Sequence, residues 1–173
     1  AFGHTLHLLE DAGVPDHTRN DAHPSFIHGQ ASPYDHEMAK WGPENFNIAR
    51  SLFLRREKPT SLVSMERYFD RIADYSNSNF FSKDTISNET YSRPNIKELA
   101  RITVKGKSKL FVVIKNENGQ VFPLALVREA REENLDDTLV LTSPQIGSYI
   151  LDGYWERLSK EVVVNGAGAL KLF

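Results

Sequence analysis

The chain contains no cysteine. That excludes disulfides, thiolate metal sites and thiol nucleophiles, and leaves the redox compartment open. Nor is there an apolar run near the ~20 residues that a membrane-spanning helix needs. An excess of one charge is also missing, since 21 Lys and Arg stand against 23 Asp and Glu for a formal net charge of −2. This balance excludes a nucleic-acid sleeve, or a protein held to anionic membranes by bulk charge. The last lack is positional: histidine is missing from everything after residue 36. All six histidines of the 173-residue chain precede that point, as His4, His7, His17, His23, His28 and His36. Chance placement would produce such crowding on the order of once in ten thousand chains. The opening segment is where chemistry is to be sought.

What remains is globular composition at a length that one domain, residues 1–173, accommodates. Phe2, Leu6 and Leu9 recur on one side of a helix over 1–12, which Gly13 and Pro15 end. Residues 14–31 are polar and read as a long loop. Ser32 and Pro33 open a short helix to about Trp41, Gly42-Pro43 breaks it, and Glu44 to Leu54 forms another. Thr60 and Ser61 are expected to cap a helix carrying Leu62, Met65, Phe69, Ile72 and Ala73. A polar loop over 75–88 is pinned by Phe80, Phe81 and Ile86, and Pro94 to Leu99 adds a helical turn.

The pattern then becomes β-rich in Ile102–Val104, Lys109–Lys115 and Val121–Val127, with Asn116 to Gly119 as a hairpin turn and Pro123 as an edge-strand signal. The expectation is a two- or three-stranded insertion, about 101–127, in a mainly α protein. Glu129 to Asp137 reads as a solvated charge run. Ser143-Pro144 starts a long last helix, with Ile146, Ile150, Tyr154, Leu158 and Val162 on one stripe and a kink expected near Asn165-Gly166.

His7 and Asp11 are four residues apart, so their side chains share one helix face, with His4 a turn earlier. Gly13-Val14-Pro15 turns the chain back and presents His17. Imidazole and carboxylate without thiolate suit zinc, and also accept manganese or iron. A carboxylate can also bridge two ions about 3.5–4 Å apart. An isolated His7–Asp11 pair would read as a surface ion pair with His17 capping the loop; the crowding of six histidines favours metal. Elsewhere the signals fail. Gly106-Lys107-Ser108 resembles a P-loop tail but has Arg101 where the first glycine belongs, and Ser51, Ser61 and Ser64 lack nucleophile-elbow glycines.

The stretch Leu6-His7-Leu8-Leu9-Glu10-Asp11-Ala12-Gly13-Val14-Pro15-Asp16-His17-Thr18-Arg19-Asn20-Asp21 resembles the metal motif of the bacterial zinc-dependent phospholipase C family, whose fold and metal arrangement are shared with the S1/P1 nucleases. The likeness is close over 4–21. Beyond that it consists of a helical body, an aromatic Asn79-Phe80-Phe81-Ser82 loop and a long last helix. The resemblance implies a mainly α, phospholipase C/P1 nuclease-like helical domain with two or three zinc ions. It further implies hydrolysis of phosphoesters and a secreted or periplasmic location. Carried over, His7, Asp11 and His17 match metal ligands, and His28 and Asp35 best match a later histidine and carboxylate. The bacterial members space that later pair four apart; here it is seven apart, so His36 and Glu37 stay as rivals. His4 and His23 fall to second-shell or structural roles.

The family closes its site with ligands from before this motif, including the N-terminal amino group, and Ala1 has no counterpart of these ahead of it. The expectation is therefore a C-terminal portion, completed by an N-terminal fragment or second chain. The other expectation is a non-catalytic, metal-stabilised structural or binding subunit that retains the fold.

Overall fold

Hydrophobic period along the chain changes from helical spacing to alternation and back, and the architecture follows it. In the computed structural model, described over residues 2–21, 32–41, 47–86, 94, 98–116, 118–128 and 138–173, six α-helices and four β-strands are defined. Helix α1 spans Phe2–Ala12, α2 Pro15–Thr18, α3 Pro33–Met38, α4 Asn47–Leu54 and α5 Met65–Asn79. Strands β1 (Glu98–Val104), β2 (Lys107–Lys115), β3 (Val121–Arg128) and β4 (Thr138–Val140) follow, then α6 (Tyr149–Ala169) and a last 3₁₀ turn. None of these helices is long and apolar enough to cross a membrane.

The first half behaves largely as its pattern dictates. Leu9 and Ala12 of α1 pack with Tyr68 and Ile72 of α5 and Ala169 of α6 in a small core. Gly13 ends α1 where a side chain would not fit: a Cβ there would lie 2.5 Å from Val162 Cγ2. The expected loop over 14–31 begins instead with the single turn of α2, opened by Pro15 at its first position. Ser32 caps α3 as expected, its Oγ accepting from Asp35 N at 3.1 Å. Ser64, and not Thr60 or Ser61, caps α5. Thr60 serves differently, its carbonyl accepting from the Tyr68 hydroxyl at 2.9 Å.

The mainly α expectation is overturned. The described residues are 49% helix and 21% strand, and the strands form one antiparallel sheet in the order β1-β2-β3-β4. Residues 98 and 99, expected to be helical, are the start of β1. The β1–β2 turn is Lys105-Gly106, both with positive φ (49° and 75°), as a two-residue hairpin requires. In the next turn Asn116 Oδ1 accepts from the backbone N–H of Asn118 at 3.0 Å and of Gln120 at 2.9 Å.

Strand β3 lies between β2 and β4, but β4 pairs only with Leu126–Arg128, so among the described residues the β4 side of β3 is open at Pro123 and the edge signal holds locally. Pro123 is tolerated also because the register shifts there: Val112 faces Ala125 while Val113 faces Pro123, leaving Leu124 as a bulge.

This sheet is one wall of the larger core, not an appendage to a helical body. Phe111, Val113, Leu124 and Leu126 pack in one buried cluster with Phe80, Phe81, Ile150, Tyr154 and Leu158. Each such side chain contributes roughly 1.5–3 kcal/mol on burial, so the strands hold a major share of the fold's stability. The five consecutive buried residues Pro123 to Val127 show that β3 is covered on both faces. Tyr154 ties the layers together: its hydroxyl donates to Leu124 O at 2.8 Å and accepts from Phe81 N at 3.1 Å.

Ser143-Pro144 does not start α6. Ser143 bridges to Gly147, whose φ is 58°, and the helix begins at Tyr149 after this tight turn. It then runs unbroken through Asn165-Gly166, where a kink was expected.

Candidate metal centre

The segment around α1 and α2 brings three of the expected ligands to one place. On α1, His7 Nε2 lies 3.6 Å from Asp11 Oδ2, the approach that an i, i+4 spacing sets up. The chain then turns through Gly13, which donates to Glu10 O, and Val14, which donates to Asp11 O, at 2.9 and 3.0 Å. Pro15 starts α2 at once, and His17 comes back over the end of α1. Its Nδ1 stands 3.7 Å from Asp11 Oδ1 and 3.2 Å from the Asp11 backbone carbonyl.

These distances separate the two imidazoles chemically. Two donors on one tetrahedral zinc, with bonds of ~2.0–2.1 Å, are about 3.4 Å apart. His7 Nε2 and Asp11 Oδ2 meet that within a few tenths of an ångström, so the pair fits an ion between them. For His17 the shorter contact governs. A carbonyl oxygen can only accept, so Nδ1 carries the proton and the lone pair sits on Nε2, the tautomer that an outer carbonyl commonly imposes on a ligating histidine. His17 thus adjoins the carboxylate without sharing the His7 position. Accordingly, no group of three or more His, Cys, Asp or Glu able to hold one ion is found among the described residues.

Asp11 lines two hollows at once. One is a cavity of about 400 Å³ among α1, α3, α4 and α6, with Val14, Met38, Leu158 and Val162 as apolar walls and His7, Glu10, Asp11 and Asp35 as its charged side. The other, shallower, lies on the α5 side and contains His17 and Asp74. The structure therefore brings Asp35, from the start of α3, to the same cavity as His7 and Asp11. Tyr34 lines it as well, and burial, reinforced by the Asp35 and Asp16 carboxylates, holds its hydroxyl above the ordinary tyrosine range. That hydroxyl stays a neutral donor at any physiological pH.

The rivals of Asp35 and His28 point elsewhere. His36 is exposed and lines a groove with Lys40 and Arg128, and Glu37 is engaged by Lys40 Nζ at 2.8 Å. His4 is exposed on α1. His23 and His28 lie outside the described residues.

Sequence reasoning missed a second set of charged residues in the same segment. Asp16 and Arg19 are each 1% exposed and Asp21 is 6% exposed. Arg19 donates from Nε to Thr85 Oγ1 at 2.6 Å and from Nη1 to Asn77 O at 2.9 Å. Asp16 Oδ2 accepts from Ser32 Oγ at 2.8 Å, and Asp21 Oδ2 from Asp84 N at 2.7 Å. These residues tie α2 to the starts of α3 and the loop after α5. The only advance signal was their density inside the motif.

The chain matches no protein-family model, no curated protein and no solved structure.

Proposed function

We propose that the protein is a zinc-dependent phosphoester hydrolase whose metal centre is built on His7 and Asp11, with His17 adjoining and Asp35 across the cavity. The observation that carries this is the Asp11 carboxylate, placed at ligand-pair distance from His7 Nε2 and lining a cavity of ligand size. The helical fold that the resemblance implied is not part of the argument. What the resemblance contributes is the identity of the motif and the class of substrate.

Bound zinc supplies a coordinated water with its pKa lowered toward ~7 and positive charge for developing phosphate oxyanions. The chain's own residues do the rest. His7 presents Nε2 from a rigid helix. Asp11 sets the position of the centre between the two hollows. The Asp11 carbonyl fixes the His17 tautomer. The Tyr34 hydroxyl stays protonated beside the acidic groups, and Val14, Met38, Leu158 and Val162 give the cavity its apolar walls. Further donors come from His28, on the resemblance, or from a second chain or N-terminal fragment; a secreted or periplasmic setting follows from the same resemblance.

The test is hydrolysis of a chromogenic phosphodiester by the zinc-loaded protein. Chelator should abolish turnover, and Asp11→Asn should reduce it by more than the ~10–100-fold typical of an outer-shell loss. Turnover that is indifferent to both would sink the reading. The lack of a three-donor group among the described residues favours a second reading, a metal-stabilised binding subunit. Its signature is a chelator-induced fall in Tm with no turnover before or after.

A further inference from the structure

We propose that the C-terminal end of α4 is a docking point for an anionic lipid bilayer. Helix α4 packs on α6 through one face, where Leu52 is buried. On the opposite face Phe53 is 81% and Leu54 68% exposed, and Arg50 is exposed beside them. A soluble helix ordinarily turns such residues inward, and here two large apolar side chains stand in water at its tip.

The backbone at this tip is specialised as well. Glu57 N donates to Leu52 O and Arg56 N to Phe53 O, both at 3.0 Å, which is the paired closure of a Schellman turn. Arg56 occupies the left-handed position of that turn, with φ 54°, where glycine is the ordinary residue. A cation thus stands at the position that glycine ordinarily takes.

Basic side chains predominate at the tip itself. Arg50, Arg55, Arg56 and Lys58 are all exposed, and no carboxylate pairs with the three arginines among the described residues. Asp152 and Glu156 share a groove with Arg50 and Arg55 without reaching ion-pair distance. Glu57, the acid within the run, is drawn away to Lys160 Nζ at 3.8 Å. The whole chain is nearly neutral, so this is a local patch, not bulk charge.

The combination selects a bilayer. Phe53 and Leu54 can enter the acyl boundary while the guanidinium groups stay among headgroup phosphates. A nucleic acid would take the charge and leave Phe53 in water. Two protruding side chains also bury far less than the roughly 1,000 Å² that a stable protein interface needs.

The experiment is co-sedimentation of the full chain, in chelator, with phosphatidylcholine vesicles lacking or containing phosphatidylserine. Chelator makes the outcome independent of the metal-centre proposal. The protein should pellet with the phosphatidylserine vesicles and be released by salt. Arg55→Gln with Arg56→Gln should weaken partitioning about 25-fold, near fivefold for each cation lost at the surface. Phe53→Ser with Leu54→Ser should abolish it, with both variants keeping the parent Tm because the residues are exposed. Three results overturn the proposal: no pelleting on anionic vesicles at low salt, equal pelleting by the double glutamine variant, or a vesicle-indifferent dimer that Phe53→Ser dissolves.

Discussion

Two sets of charged side chains interleave along the stretch from His7 to Asp21, and they are built for opposite purposes. Asp16, Arg19 and Asp21 are buried and held by hydrogen bonds of 2.6–2.9 Å to Thr85, Asn77, Ser32 and Asp84. His7 and Asp11 stand at the surface, 66% and 37% exposed, and approach each other only to 3.6 Å. That is beyond hydrogen-bond range but close to the spacing of two donors on one metal. The difference teaches how to sort a charged motif. Groups whose hydrogen bonds are short and buried are committed to the fold. Groups left near each other, exposed and out of hydrogen-bond range, still have lone pairs to give a ligand.

The sharpest way to break this comparison is Arg19→Met. It removes a buried cation, leaves the Asn77 carbonyl without its donor and leaves Thr85 Oγ1 with only the Ser82 hydroxyl. Breaking a buried charged network costs about 3–5 kcal/mol, which at ~2–4 °C per kcal/mol lowers Tm by about 10 °C. Asp11→Asn, measured without metal, should stay within about 0.5 kcal/mol of the parent, as surface changes do. Thermal melts of the two variants in chelator check this directly. If Asp11→Asn proves the more damaging, the assignment of the two sets is inverted.

A finer test separates the two histidines. His7 Nε2 faces the carboxylate, whereas His17 gives its Nδ1 proton to the Asp11 carbonyl. His7→Ala, which removes a direct donor, should therefore weaken zinc binding by more than the ~10–100-fold that loss of an outer partner costs, and His17→Ala by only about tenfold. Calorimetric titration with zinc gives both numbers. Equal losses would mean that His17 rotates to share the His7 position, and the two-hollow description of Asp11 would fall.

Much of this arrangement was legible in the residues, and what was not has identifiable causes. The helix face of His7 and Asp11, the turn at Gly13 and the Ser32 cap follow from local rules, because each depends on atoms within a few residues. Ser143-Pro144 carries the same signal as Ser32-Pro33, yet the chain there closes a tight turn onto Gly147. Local chemistry permits both outcomes, and packing decides. The central parts of β1–β3 were marked by β-branched and apolar residues. Their place in the core was not marked, because the cluster that holds Phe111 and Val113 also draws on Tyr154 and Leu158, far along the chain. Strand β4, three residues long, is too short to show alternation.

The fold class that the resemblance implied failed for a related reason: a motif confined to 4–21 specifies a helix and its turn, not the layer packed beneath them. Asp35 entered only as a sequence match; that it lines the same cavity as His7 and Asp11 depends on how α3 meets α6.

The smallest expected effect extends the comparison to a third kind of carboxylate. Asp16 is buried and held by Ser32; Asp11 is half-buried and available. Asp152 is more exposed than either, at the first turn of α6, yet partial desolvation raises its pKa above the ordinary carboxylate range, the Ser148 hydrogen bond opposes that shift, and the Glu37 charge adds to it. A raised folded-state pKa means that the protonated form is the better fit to the native structure. Its stabilising contribution is complete below the unfolded value of about 3.9 and is lost as pH rises through the folded value. Asp152→Asn keeps an acceptor for the Ser148 hydroxyl and never ionises. The variant should therefore melt slightly above the parent near neutral pH and coincide with it in acid. Melting curves at several pH values read the difference, and a variant that is less stable at neutral pH would place Asp152 with Asp16, among the carboxylates that the fold depends on in their charged form.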